Sequence, residues 1–427
     1  MKLAEVFNTI AGPDAPVEFV AFDGSKAGTP GSAVRLEVRS PRAIEMIMSH
    51  PGQVGLARAY VAGEVDIVGD VVEMFEALSY VRPSQIPTSE KIKLVREFAP
   101  SYFRNADLLH RGDTPPEEKK LGGRRHSKGR DAEAIAHHYD VSNQFYRYVL
   151  GPSMAYTCAV FPTEDATLEQ AQEEKFDLVC RKLDLKPGMR LLDIGCGWGG
   201  MVVHAAKNYG VDVIGVTLSK PQADWGQQAV IEAGLESQAQ VRFSDYRDVP
   251  EGNFDAISSI GLTEHIGEAN YPAYFSFLRS KTKPEGRMLN HSITRFNDKQ
   301  KVRYRNSFVN RYVFPDGELT GPAKVMMAAT NENWEVQHEE NIRVHYAKTL
   351  HCWRMNLEDN WDAAVAEVGE RKARVWRLYM AASEFGFAHN IIQLHQFLLT
   401  NTTEDGYPEC HCVRISLAGR HLIRHSG

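Results

Sequence analysis

The stretch Leu191–Gly200, LLDIGCGWGG, constrains this chain more than any other. Its first half is apolar apart from Asp193, the pattern of a strand buried on both faces. Its second half holds Gly195, Gly197, Gly199 and Gly200, and GMVVHAAKNYG then continues as a helix. A strand that turns through glycine directly into a helix opens a layered α/β fold. The residues that follow repeat the theme. VDVIGVTLS (211–219), VRFSD (241–245) and FDAISSIG (254–261) read as strands, with PQADWGQQAVIEAG as a helix after the first of them. This alternation predicts a doubly wound, Rossmann-like α/β domain with a parallel sheet and right-handed crossovers.

The same glycines suggest a ligand, because they let backbone approach closely and a helix N-terminus offers free N–H groups. Gly195, Gly197 and Gly200 fit the G-x-G-x-x-G spacing of dinucleotide sites, so spacing alone does not select the ligand. Two other features do. Asp193 stands at the approach to the turn, where a carboxylate repels a pyrophosphate and suits an ammonium group. The next strand ends Val216-Thr217-Leu218-Ser219, without the acid that would hold a dinucleotide ribose. Both point to S-adenosylmethionine (SAM), whose amino-acid end is zwitterionic and whose sulfonium is cationic.

Composition narrows the class. Apolar residues are 43% and charged residues 24% of 427, which excludes a disordered, collagen-like or coiled-coil chain. Acidic residues outnumber Lys plus Arg by 55 to 49, so no nucleic-acid partner is expected. No run reaches the roughly 18–20 apolar residues of a spanning helix. The N-terminal MKLAEVFNTIAGPDAPVEF lacks a signal-peptide core, and a cytoplasmic location is expected. The six cysteines are too sparse for a disulfide framework. Cys410-His411-Cys412 lacks partner ligands at zinc spacing, so no metal is expected.

Three regions emerge along the chain. Residues 1–105 form a smaller N-terminal domain. It includes a helix after Gly69 with Val71, Val72, Phe75 and Leu78 on one face. Residues 106–131 lose apolar periodicity, contain Pro115-Pro116 and Gly122-Gly123, and read as a charged flexible linker. Lys119, Lys120, Arg124, Arg125, Lys128 and Arg130 make its second half basic. That half reads as a solvated linker or as a hinge touching anionic lipid headgroups. Residues 132–427 form the α/β domain.

Several separated motifs now carry a resemblance. They are HHYDVSNQFY (137–146), MAYTCAVF (154–161), the glycine loop, GVTLSKPQ (215–222), DYRD (245–248), TEHIG (263–267), NHSIT (290–294), YVFPDGELT (312–320) and HYAKTLHCW (345–353). Together they resemble the cyclopropane-fatty-acid synthase and mycolic-acid methyltransferase family. GLARAYVAGEVDIVGDVVEM (55–74) is similar to the small α+β lipid-engaging domain of its full-length members. The resemblance implies a class I SAM-dependent C-methyltransferase acting on a cis double bond in acyl chains of membrane phospholipids. It implies a peripheral membrane association and allows a homodimer. By the same resemblance, Tyr156, Thr157 and the loop of Gly195, Gly197 and Gly199 lie by the amino-acid end of SAM, with Asp193. Thr217, Leu218 and Gln222 bracket the ribose, and Asp245 and Tyr246 lie near the adenine. Gln222 would then replace the absent ribose acid.

Methyl transfer to an alkene leaves a carbocation that must lose a proton. Tyr139, Phe145, Tyr146, Tyr271 and Phe275 could face such a cation, and each could equally be an ordinary core aromatic. In the family a bound bicarbonate takes the proton. The matching positions are Cys158, Glu264, His291, Ile293 through its backbone, and Tyr346. His291 and Tyr346 can donate to an oxyanion, and Glu264 can accept the bicarbonate hydroxyl proton or orient His291. Many relatives carry a late cysteine where this chain has Ser383, so a thiol nucleophile is absent there. Proton loss from the transferred methyl gives a cyclopropane. The alternative outcome of the same first step is a 10-methylene chain, which calls for a reductase partner. The motifs leave that choice open.

Overall fold

The computed structural model describes residues 2–50, 52–81, 89, 96, 115–118, 122, 123, 125–139, 141–299 and 307–403, without the side chains of 132 and 136–139. The Tyr139 side chain, Lys119, Lys120, Arg124 and the Cys410-His411-Cys412 segment lie outside the described residues. The chain divides into two compact units. One comprises Met1–Lys120, Arg303–Pro315 and Trp361–Phe385; the other comprises Leu121–Val302, Asp316–Asn360 and Gly386–Gly427.

The first unit holds a small sheet of β1 (Glu18–Ala21), β2 (Lys26–Gly28), β3 (Arg35–Val38) and β4 (Val65–Val68), in the order β2-β1-β3-β4. β1 and β3 are parallel and the other pairs antiparallel. After Gly69 comes the helix Val71–Ala77, capped by Asp70, whose carboxylate accepts from the N–H groups of Val72 and Glu73. It buries Val71, Val72 and Met74, with Phe75 and Leu78 only partly covered. Arg374 ties the late segment into this unit. Its guanidinium lies 4.2 Å from the Tyr60 ring centroid and donates to the carbonyls of Tyr60 and Val65 and to Asp66.

The second unit is built on seven strands: β5 (Arg190–Ile194), β6 (Asp212–Thr217), β7 (Ala239–Phe243), β8 (Phe254–Ile260), β9 (Thr282–Arg295), β10 (Glu335–Asn341) and β11 (Ile392–Thr400). Their order is β10-β11-β9-β8-β5-β6-β7. The five strands from β7 to β9 are parallel, while β11 runs antiparallel to both β9 and β10. The doubly wound α/β core expected from the sequence is present, extended by an antiparallel end. Strand order turns between β5 and β8, so their C-terminal ends flank the crevice where such folds take ligands.

Local chemistry explains the elements that frame this crevice. The helix Leu168–Lys182 starts in a capping box, Thr167 and Gln170 satisfying each other's backbone. The helix Gly200–Tyr209 starts after Gly199, whose φ of 81° is left-handed. One core cluster packs this helix and the helix Leu168–Lys182 on one face of the sheet through Phe176, Val179, Val202 and Leu191. A second packs Tyr271, Tyr274, Phe275 and Trp334 on other strand residues such as Leu192 and Ile257.

Gly215 on β6 is a tight point in this packing. A Cβ there would stand 2.6 Å from Val202 Cγ2 and 3.0 Å from Cys196 Sγ. Gly215→Ala is therefore expected to destabilise the protein by about 1–3 kcal/mol through overpacking. An unchanged urea midpoint would show that helix and strand separate without cost.

Candidate active site

The glycine loop is pinned before it meets any ligand. The N–H groups of Gly195 and Cys196 both donate to the carbonyl of Val216, at 2.9 and 3.0 Å. Gly195 and Gly197 have φ of +72° and +56°, a conformation that side chains disfavour. A Cβ on Gly197 would meet nothing within 4 Å, whereas one on Gly199 would stand 3.1 Å from Gly226 Cα. Gly197 thus keeps the loop surface open, and Gly199 lets the next helix approach its neighbour.

Asp193 lies within β5 and is almost fully buried. It accepts from Ser258 Oγ on β8 at 2.6 Å. Burial pushes its carboxyl up to about 6, against the pull of Ser258 and Lys175. At the end of β6, Thr217 Oγ1 donates to Gln222 Oε1 at 2.8 Å, which leaves the Gln222 amide NH2 as the donor it can offer. Leu218, between them, is half-buried. Past β7, Asp245 is held by Arg247 through Nε at 2.8 Å and a terminal nitrogen at 2.6 Å. Burial alone would raise Asp245, but these bonds hold it below the ordinary carboxylate range. Tyr246 packs edge-on against Tyr274 and Phe277.

Tyr156 and Thr157 sit beside a buried lysine. Lys175 is 1% exposed, donates to Thr157 Oγ1 at 2.9 Å, and is pushed down to about 7 by burial. Tyr156 joins a run of rings. Tyr146 stands 4.7 Å from Trp198 and 5.7 Å from Tyr156; Tyr156 is 5.3 Å from Trp353; Tyr346 is 6.0 Å from Trp353 and 4.5 Å from Phe387. Phe145 is buried against Tyr146. Tyr271 and Phe275 belong instead to the second core cluster, with the Tyr271 hydroxyl 3.3 Å from Thr320 Oγ1.

Ile342 and Leu394 link three of the remaining candidates, Cys158, Ile293 and Tyr346. The N–H of Ile342 donates to the carbonyl of Leu394, which pairs with Ile293 across β11 and β9. The Ile342 carbonyl takes the N–H of Tyr346 at 3.4 Å and lies 4.0 Å from Cys158 Sγ. The N–H of Ile293 donates to Glu264 Oε1 at 2.6 Å. His291 stands two residues before Ile293 on the same side of β9. Burial raises the Cys158 thiol, so it stays protonated. Burial raises Glu264 to about 7, despite the N–H of Ile293, and lowers His291 to about 3, aided by Lys175 and Lys182. Glu264 Oε2 is buried without a hydrogen-bond partner among the described residues.

These residues fit the two expected small molecules. The glycine loop, Asp193 and Asp245 suit a cationic aminoacyl nucleoside better than a pyrophosphate. The unpartnered Glu264 oxygen, in a carboxyl that can be protonated near neutral pH, suits a hydrogen-bonding oxyanion with a hydroxyl. Sequence reading passed over Lys175, Trp353, Phe387 and Gln396. Lys175 has a signal in retrospect, because Gln172, Lys175, Val179 and Lys182 lie at helical spacing on one buried face.

The fold is that of the class I SAM-dependent methyltransferases. The sequence model of the family described as "Mycolic acid cyclopropane synthetase" matches residues 126–397. A Mycobacterium tuberculosis protein named "Probable fatty acid methyltransferase Rv3720" is 49% identical over 410 residues, 95% of each chain. The cyclopropane-fatty-acyl-phospholipid synthase of Escherichia coli is 37% identical over 63% of this chain and 68% of its own. The crystal structure of mycolic acid cyclopropane synthase CmaA1 with SAH and CTAB superposes with a TM-score of 0.60 at 34% identity, over 63% of this chain and 98% of that one. The chain belongs to the mycolic acid cyclopropane synthetase family of lipid-modifying methyltransferases.

Two substitutions test the site directly. Gly197→Val forces a β-branched residue into left-handed backbone and obstructs the loop surface, so calorimetry should detect no SAM binding. Retained affinity would remove the loop from the cofactor site. Glu264→Gln should stabilise the fold at high pH. The folded carboxyl keeps its proton up to about 7, whereas the ordinary value is 4.5. Between those values the folded state holds a proton that the unfolded state releases, so wild-type stability falls as pH rises. The variant's advantage should grow from near zero at about pH 4 to about 3 kcal/mol above about pH 7. A pH-independent difference in denaturation midpoints would show that Glu264 ionises normally.

Proposed function

We propose that this enzyme transfers the methyl group of SAM to a cis double bond in an unsaturated acyl chain of a membrane phospholipid. The resulting carbocation loses a proton to bound bicarbonate, giving a cyclopropane fatty acid. The observation that carries this reading is Glu264: one carboxylate oxygen is fixed by Ile293, and the other is buried and unpartnered among the described residues.

When bound, SAM supplies an electrophilic methyl group and bicarbonate supplies the proton acceptor. Tyr156, Thr157, Asp193, Gly195, Gly197 and Gly199 hold the amino-acid end of the cofactor. Thr217, Leu218 and Gln222 hold the ribose, and Asp245 and Tyr246 frame the adenine. Glu264, His291, Tyr346 and Cys158 hold the anion; the Ile293 N–H, expected from the sequence to face it, is instead spent on Glu264 Oε1 and fixes that carboxyl. The rings of Tyr146, Tyr156, Trp353, Tyr346 and Phe387 exclude water and present π-faces to the developing cation. An alkene is a weak nucleophile, so alignment of the acyl chain with the methyl supplies much of the rate.

Among the described residues no helix is long and apolar enough to cross a membrane; on the proposed reading the enzyme lies in the cytoplasm and reaches its substrate peripherally at the bilayer surface. Of the basic residues before the α/β domain, Arg130 pairs with Asp316 and Lys128 with Asp248, and Arg125 lies 3.5 Å from Asp316. These three cations therefore contribute less to headgroup binding than their number suggests. The proposal includes a homodimer as the membrane-bound form. A second product remains in play, because the M. tuberculosis relative is named for fatty acid methylation rather than ring closure. A 1,2-hydride shift that moves the cation to the methyl-bearing carbon, followed by proton loss from the transferred methyl, would give a 10-methylene chain and call for a partner reductase.

The test is incubation of purified protein with SAM, bicarbonate and oleoyl phospholipid vesicles, followed by proton NMR of the released fatty acids. Upfield ring protons are expected; vinylidene protons would select the methylene product. Unchanged oleate with SAM bound would overturn the substrate class. In the same assay Glu264→Gln and His291→Ala should lower turnover by about 100-fold or more with SAM affinity retained. A matching loss of SAM affinity would reassign both residues to the cofactor site.

A further inference from the structure

Behind His291 a chain of side chains crosses the antiparallel end of the sheet. Lys182 ends the helix Leu168–Lys182 and is wholly buried. Its ammonium donates to Glu340 Oε2 at 2.5 Å and to Gln396 Oε1 at 2.7 Å. The Gln396 amide nitrogen lies 3.2 Å from His291 Nδ1. Strand register holds the row in place, since Glu340 pairs with Gln396 and Gln396 with His291 across β10, β11 and β9. Gln396 and His291 are 0% and 1% exposed, so water does not compete for these bonds.

The polarity of this row has a single solution. An ammonium group has three donors and no acceptor, so the Gln396 atom that faces Lys182 is the carbonyl oxygen. The amide NH2 then faces His291, and Nδ1 must accept. A neutral imidazole that accepts at Nδ1 carries its hydrogen on Nε2. We propose that Lys182 and Gln396 are positioning residues that lock His291 in its Nε2–H tautomer, so that the imidazole acts as a fixed hydrogen-bond donor to the oxyanion. The inference rests on the assignment of His291 to the anion site. Burial and the fields of Lys175 and Lys182 keep the ring neutral, which closes the alternative in which both nitrogens carry hydrogen.

The lock is tested on the full-length enzyme with nitrogen-15 histidine and long-range proton–nitrogen correlation, the His291 signals being assigned by their loss in His291→Gln. At neutral pH the wild type should show hydrogen on Nε2 and a bare Nδ1. Lys182→Met and Gln396→Met each remove one link. Each should yield mixed tautomers, a kcat lower by about 10- to 100-fold, a higher KM for bicarbonate and unchanged SAM affinity. An Nδ1–H tautomer in the wild type would overturn the lock, and that measurement decides even if a variant folds poorly. Variants that keep a pure Nε2–H signal and full kcat would also overturn it. A wild type with the Nε2–H tautomer that turns over without bicarbonate would support the lock while removing the bicarbonate reading.

Discussion

Desolvation is the physical constraint on which this site depends. Lys175, Asp193, Glu264 and His291 all lie buried around the C-terminal ends of β5, β8 and β9, or on the helix that covers them. Burial disfavours each charged form. It raises Asp193 to about 6 and Glu264 to about 7, and lowers Lys175 to about 7 and His291 to about 3. Such a cluster costs folding stability, because polar groups leave water with incomplete compensation. The same dryness is what a reaction through an alkyl cation requires, since free water there would capture the cation.

The compensation is supplied locally and unevenly. Asp193 has Ser258, Lys175 has the Thr157 hydroxyl, and Lys182 has both Glu340 and Gln396. Glu264 keeps a fully buried oxygen, Oε2, without a hydrogen-bond partner within the described residues. A buried acceptor left unmatched costs roughly 1–3 kcal/mol. Two well-packed core clusters flank the sheet and can bear that deficit.

Much of the architecture was legible because its signals are local. The strand–glycine–helix unit and the four strands from 189 to 261 announce themselves by apolar runs and turn residues, and the structure places β5, β6, β7 and β8 there. The antiparallel end was not legible in that way. β10, EVQHEEN, is polar apart from Val336, and β9 carries Asn290, His291, Ser292 and Thr294 into the interior. Strands whose buried positions are polar break the periodicity on which such reading relies. Residues 361–385 join the first unit through tertiary bonds of Arg374 to Tyr60, Val65 and Asp66, and no local pattern encodes those. For the site, recognisable motifs carried Glu264, His291 and Tyr346. No such motif marks Lys175 or Lys182, and a helical cation normally faces water.

The buried lysines also divide the proposed labour between Glu264 and His291. Two groups that could both exchange protons near neutral pH would leave the anion's orientation undefined. Here burial, aided by the fields of Lys175 and Lys182, lowers His291 to about 3 and keeps it neutral at physiological pH. Glu264 feels burial and the N–H of Ile293, and titrates near neutrality. On the proposed reading, the imidazole sets direction and the carboxyl handles the proton. On that reading the separation needs a buried ring and a registered amide on β11. On the same reading the antiparallel extension contributes to the chemistry as well as closing the sheet.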